Sequence, residues 1–193
     1  MDTKNQKKLK SYLKAGHVYR RGDLAYCSKA IDRDLIALVN QGSLEKIGPG
    51  LYYSPAHSRF GVLPPQDADL VSRFLKEKRF LLYSWSQYNA LGLGLTQLYN
   101  RVVVYNKKRH GLFKLGNKEF DFKNFARGFP KKLTPEFLLV DLLNNLSQLS
   151  EDTDQIKSNI KQHLLKFNAK KVIKNAEEYG KVATRYFLKE IYY

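Results

Sequence analysis

The residues in this chain best suited to chemistry are cations, and the chemistry they suit is the binding of a polyanion. Thirty-four Lys and Arg stand against 18 Asp and Glu, a formal charge of +16 at neutral pH, and 13% of the residues are aromatic. A surplus of that size attracts phosphates and makes association salt-dependent, because each neutralised phosphate releases a counterion. Two stretches carry it. Residues 1–60 hold eleven Lys and Arg against five acids, and residues 101–132 hold ten against two. The first contributes Arg20, Arg21, Lys29, Arg33 and Lys46, with Asp32 among them; the second contributes Arg101, Lys107, Lys108 and Arg109.

The catalytic constellations are incomplete. Asp121-Phe122-Lys123 resembles half of the metal site of restriction-type nucleases, but that chemistry needs another carboxylate from an upstream strand. Residues 92–118 contain no acid at all. Cys27 has no base ordered beside it, since His17 is ten residues away with nothing to pair the two. His17, His57, His110 and His163 show no i, i+4 pairing, so no metal site is expected. Gly92-Leu93-Gly94 lacks the third glycine and the Gly-Lys-Ser/Thr of a phosphate loop and reads as a helix end. The expectation is a protein that is not an enzyme and has no cofactor.

What positions the cations is the stretch from Ser28 to Pro55. Ser28 is the expected N-cap of a helix whose buried stripe is Ile31, Leu35 and Leu38. Lys29, Asp32, Arg33, Ile36 and Asn40 fall off that stripe and leave a face for a partner. Gly42 closes the helix, and residues 44–53 read as a hairpin around Gly48-Pro49-Gly50. Upstream, residues 4–14 predict a helix with Leu9, Tyr12 and Leu13 inward, residues 17–21 an extended piece, and residues 23–26 a short helix. Helix, strand, helix, helix, hairpin is the order of a winged helix-turn-helix, expected here over residues 1–58. Its helix would enter the major groove with Lys29, Asp32 and Arg33 nearest the bases, Arg33 meeting guanine. Asp32, an acid among phosphates, would orient Arg33 or Lys29. Lys46 and the Gly48-Pro49-Gly50 tip would approach a phosphate or the minor groove, and Arg20, Arg21 and Lys14 would neutralise flanking phosphates.

Residues 56–65 read as a connector. A second domain is expected over residues 59–193, of mixed α/β type and ending in helices, which makes the fold class α+β. Its elements are a helix over 66–78 burying Ala68, Val71, Phe74 and Leu75, a strand over 80–83, and a helix capped by Ser84. A strand over 101–106, a basic turn over 107–111 and a hairpin around Gly116-Asn117 follow. Helices then occupy residues 135–149, the stretch following Glu151, the stretch from Asn168 to Gly180, and 182–191, the last burying Ala183, Tyr186 and Phe187. No apolar run reaches the roughly 18 residues of a membrane span. The charged start lacks the apolar core of a signal peptide, and a single cysteine suits a reducing compartment, so a cytoplasmic location is expected.

The residues Ile47-Gly48-Pro49-Gly50-Leu51-Tyr52-Tyr53-Ser54-Pro55, then Gly61-Val62-Leu63-Pro64-Pro65 with Asp67, resemble the AbiEi-like antitoxin family of bacterial type IV toxin–antitoxin systems. Asn89-Ala90-Leu91-Gly92-Leu93, Thr96-Gln97, the strand from Val102 to Tyr105 and Leu115-Gly116-Asn117-Lys118 extend the resemblance over about residues 10–150. It implies an N-terminal winged helix that binds an inverted repeat in its own promoter, as a dimer on double-stranded DNA, and represses the operon. It also implies a second domain that helps to counteract a nucleotidyltransferase toxin. A protein–protein adaptor and a stand-alone regulator without a toxin are the alternatives.

Overall fold

A computed structural model describes residues 4–125 and 128–192. The chain is α+β and divides into two compact units, one of residues 1–78 with 113–119, the other of residues 79–112 with 120–193. The first unit therefore runs twenty residues past the expected boundary at 58 and takes in the tip of a later hairpin.

In the first unit, α1 (Lys4–Tyr12), β1 (Val18–Arg20), α2 (Arg21–Leu24), α3 (Ile31–Asn40), β2 (Glu45–Gly48) and β3 (Leu51–Tyr53) follow in order, with a 3-10 turn over Ala25–Cys27. The strands form an antiparallel sheet in the order β1-β3-β2, Tyr52 lying opposite both Tyr19 and Lys46. Leu9, Leu24, Cys27, Ile31, Leu35, Leu38 and Leu44 fill the core beside the sheet. The predicted stripe of α3 is thus the buried one. Gly42, at φ +71°, ends α3, its N–H bonding the Val39 carbonyl and that of Ser43 the Leu38 carbonyl, an arrangement that needs a left-handed residue. Pro49 and Gly50, the latter at φ +65°, make the turn between β2 and β3.

Two expectations for this unit are corrected. Ser28 does not cap α3; Ala30 stands at the cap and the helix begins at Ile31. The Ser28 hydroxyl is buried, accepting from the Ala30 N–H at 3.0 Å and donating to Asp34 Oδ2 at 2.6 Å. Asp34 lies three residues after Ile31, on the buried stripe, and a buried carboxylate needs donors more than a helix terminus needs a cap. The supposed connector over 56–65 contains a hairpin, β4 (Ala56–Ser58) with β5 (Gly61–Leu63). Then α4 (Asp67–Leu75) buries Leu70, Val71, Phe74 and Leu75, while Ala68 is exposed.

In the second unit, β6 (Leu81–Ser84) pairs antiparallel with β7 (Val102–Asn106). β7 runs parallel to β9 (Lys118–Asn124), which follows β8 (Gly111–Leu115) across the Gly116-Asn117 turn. A 3-10 helix over Trp85–Leu91 is capped by Ser84 and ends at Gly92, φ +64°. The helices α5 (Pro135–Asn145), α6 (Thr153–Gln162), α7 (Ala169–Tyr179) and α8 (Val182–Tyr192) complete it. α6 starts at an Asp152 cap and α7 at an Asn168 cap, each accepting backbone N–H groups of the first turn. α8 departs from the expected face in part: Phe187 packs half-buried against the core as expected, but Thr184 and Leu188 are the buried residues, Tyr186 is 72% exposed and Ala183 is exposed. Among the described residues no helix is long and apolar enough to cross a membrane.

Candidate nucleic-acid interface

Arg21 organises the first basic surface. Its backbone N–H donates to the carbonyl of Gly50 at 2.9 Å, tying the β2–β3 turn to the start of α2. Its side chain donates through Nε and Nη2 to the two oxygens of Asp32, at 2.6 and 2.7 Å. One residue therefore joins the hairpin tip to the first turn of α3. The pairing draws the Asp32 carboxyl below its usual range and raises the Arg21 guanidinium, the hydrogen bond being the main cause of each shift. The sequence-based expectation that Asp32 orients Arg33 or Lys29 is corrected: it neutralises Arg21. The two are eleven residues apart, a separation at which helical spacing carries no information.

Lys29, Arg33, Ile36 and Asn40 are exposed on α3 and the turn before it, as are Lys46 and Pro49 on the hairpin. Positions 33, 36 and 40 recur at helical spacing and form one face of α3, with Lys29 in the turn that precedes the helix. Ile36, 62% exposed, is the apolar centre of that face. Gly48 ends β2 in a close contact: a Cβ there would lie 3.3 Å from a methyl of Leu115, so the β2–β3 hairpin and the 113–119 tip pack with no side chain at position 48 between them.

Arg20 is placed elsewhere. Its Nη1 donates to the carbonyls of Arg73 at 2.5 Å and Phe74 at 3.4 Å, at the C-terminal end of α4, and its N–H donates to Asp23. It caps one helix and starts another instead of facing a ligand. Ser28 is withdrawn into the core with Asp34. Of the residues proposed in this unit, Lys14, Lys29, Arg33 and Lys46 remain as exposed cations, with Asp32 and Arg21 as a neutral pair.

The second basic region is two places. Arg101 precedes β7 and Lys107 follows it, so the length of the strand, six residue steps or about 20 Å at ~3.3 Å each, separates them. The turn over 107–110 is exposed and built on one side chain that sequence reasoning passed over. Asn106 is 1% exposed; its Oδ1 accepts from the N–H groups of Lys108 (2.8 Å) and Arg109 (2.6 Å), and its Nδ2 donates to the carbonyls of Val104 and Arg109. An Asn closing a basic turn at a strand end was the available signal.

The Asp121–Lys123 pair sits 3.8 Å apart on β9, with Lys123 Nζ 4.6 Å above the Trp85 ring. Burial lowers the Lys123 ammonium. The acid near them is Asp141, which is saturated: Tyr83 and Tyr88 donate to its Oδ2, Tyr105 and Asn145 to its Oδ1. Four donors use the four lone-pair positions of a carboxylate, leaving none for a metal or substrate. Burial raises the Asp141 carboxyl, against the three hydroxyl donors that lower it. This cluster is the polar centre of the second unit's core. Among the described residues no group of three His, Cys, Asp or Glu is placed to hold a metal ion.

No protein-family model matches the chain, and comparison with curated proteins finds no match.

Proposed function

We propose that this protein is a DNA-binding transcriptional repressor whose first unit is a winged helix-turn-helix. The observation that carries the reading is the double attachment of Arg21, which sets the β2–β3 turn and the first turn of α3 beside each other at one end of the unit. The order β1-β3-β2 and the exposed Lys29, Arg33 and Lys46 support it. In this reading α3 lies in the major groove, Arg33 reads guanine, Ile36 meets a thymine methyl, and Lys46 on the wing contacts a phosphate. The protein acts in the cytoplasm, as a dimer on an inverted repeat in its own promoter. The antitoxin role, countering a nucleotidyltransferase toxin, rests on the resemblance in sequence alone.

A gel-shift titration of the full chain on its own promoter, across a series of salt concentrations, tests the reading. Arg33→Ala with Lys46→Ala is expected to abolish discrimination for the operator and to flatten the salt dependence by about one phosphate contact, ~0.9 in slope. Unchanged affinity and slope would remove this surface from consideration. Ile36 favours one second reading, an adaptor that docks another protein on the α3 face; a stoichiometric protein complex lost in Ile36→Glu, with no DNA bound, would establish it.

A further inference from the structure

The β4–β5 hairpin is unexplained by the reading above. Its strands pair Ala56 with Leu63, His57 with Val62 and Ser58 with Gly61, leaving Arg59 and Phe60 as the tip. The tip is held in shape. Ser58 Oγ accepts from the Phe60 N–H at 3.1 Å and donates to the Gly61 carbonyl at 3.1 Å, and Gly61 takes φ +115°, which side chains resist. The base is held as well: the Tyr53 hydroxyl donates to the Leu63 carbonyl at 2.6 Å and accepts from the Ala56 N–H, fixing the hairpin to the end of β3. On this support Phe60 is 86% exposed, and the Arg59 guanidinium lies 4.7 Å from its ring centre. Val62 and Leu63 on β5 are exposed as well, at 55% and 47%, so Phe60 is the end of a contiguous apolar strip with a cation beside it, the kind of surface that marks a binding element.

Charge indicates the occupant. From Lys46 to Gln66 there is no Asp or Glu, while Lys46, Arg59 and the exposed His57 lie within it. A protein partner with an aromatic pocket needs no such bias, whereas a nucleic acid offers base faces beside phosphates. We infer that the β4–β5 tip is a second nucleic-acid contact, in which Phe60 stacks on a base and Arg59 engages the adjoining phosphate. The inference rests on the DNA-binding reading and adds a contact that is independent of α3. The base is either part of a duplex step that Phe60 wedges open or an unpaired base in a single strand.

The test uses the full chain, a labelled 30-base-pair duplex and a single strand of the same sequence, with affinity followed by anisotropy between 50 and 300 mM salt. Phe60→Ala is expected to weaken binding about 5- to 140-fold, the range for losing one stacked base, with the salt slope unchanged. Arg59→Gln is expected to reduce the slope by about 0.9 on the duplex and about 0.7 on the single strand. Phe60→Trp should retain affinity and lose indole emission on binding, over the background of the buried Trp85. A larger loss on the single strand assigns an unpaired base, and an equal or larger loss on the duplex assigns a wedged step. Binding that Arg33→Ala with Lys46→Ala removes, but that Phe60→Ala leaves within twofold with silent Phe60→Trp emission, overturns this inference and leaves the DNA reading standing. If the unsubstituted chain binds neither probe at 50 mM salt, both fall. If Phe60→Ala instead dissociates a dimer in sedimentation at unchanged affinity per copy, the tip is a self-contact and the inference is overturned.

Discussion

Replacing Asp32 by asparagine probes the most specific feature of the proposed reading surface. In the native protein Arg21 is bound through two parallel hydrogen bonds at 2.6 and 2.7 Å, so the pair brings no net charge to the surface and the guanidinium is not free to swing toward a phosphate. The Asp32→Asn change would keep the shape of the first turn of α3, remove the negative charge and release Arg21. One added phosphate contact steepens the slope of log K against log salt by about 0.9, which makes the ratio of affinities at 50 and 200 mM salt about 3.5-fold larger than in the unsubstituted protein. Affinity for DNA of arbitrary sequence should therefore rise at low salt, and discrimination for the operator should fall. Arg21→Gln alone should weaken binding, because it leaves the exposed Asp32 carboxylate uncompensated beside the phosphates; in the Asp32→Asn background it should cancel the gain. The assay is a gel-shift or anisotropy titration of the four proteins in the cycle at several salt concentrations. Weaker binding by Asp32→Asn, or an unchanged slope, would refute the argument, the first by showing that the carboxylate itself meets a base.

Other expectations follow from the second unit. Asp141→Ala strands three buried tyrosine hydroxyls at about 1–3 kcal/mol each, so a loss of about 4 kcal/mol or more is expected, against about 1 kcal/mol for Tyr105→Phe. Urea unfolding followed by Trp85, the single tryptophan, reads this unit directly. Because burial raises the Asp141 carboxyl, the folded unit holds a proton that the unfolded chain has lost between an ordinary carboxylate value of about 3.9 and the higher folded value. This group's contribution to stability is therefore greatest at the acid end of that window and falls as pH rises through it, and Asp141→Asn should remove that dependence from the urea midpoints. Asn106→Ala should cost about 2 kcal/mol and speed hydrogen exchange at the amides of Lys108 and Arg109, which lose their acceptor, while the β7 amides change little.

Much of the local structure was legible. The Ile31–Leu35–Leu38 stripe, the glycines at 42 and 92, the Pro49-Gly50 turn, the Asn168 cap and the Ser84 cap are short-range features, and each element formed where its own residues favoured it. What misled was a local rule overruled by a distant group. Ser28 has the chemistry of a cap, yet it turned inward to Asp34, which Gln6 of α1 also contacts. Tyr186 has the chemistry of a core residue, yet α8 turned Leu188 inward instead, because the surface it packs on was set by α5 and α7. The β4–β5 hairpin was passed over because Gly61 and two nearby prolines read as a linker when no strand partner is in view.

By itself the sequence determined the α+β character, the cationic surplus and the α3–hairpin stretch, since these depend on composition, periodicity and turn residues within ten or so positions. Only the tertiary structure decided which cations stay available to a ligand. Arg20, Arg21 and Arg33 are equivalent as letters; the first was drawn to the carbonyls ending α4, 53 residues on, and the second to Asp32, eleven residues on. Arg33 remains exposed on α3. A charge's availability depends on whether a complementary group lies within hydrogen-bond reach, and that distance is fixed by the packing of elements far apart in the chain.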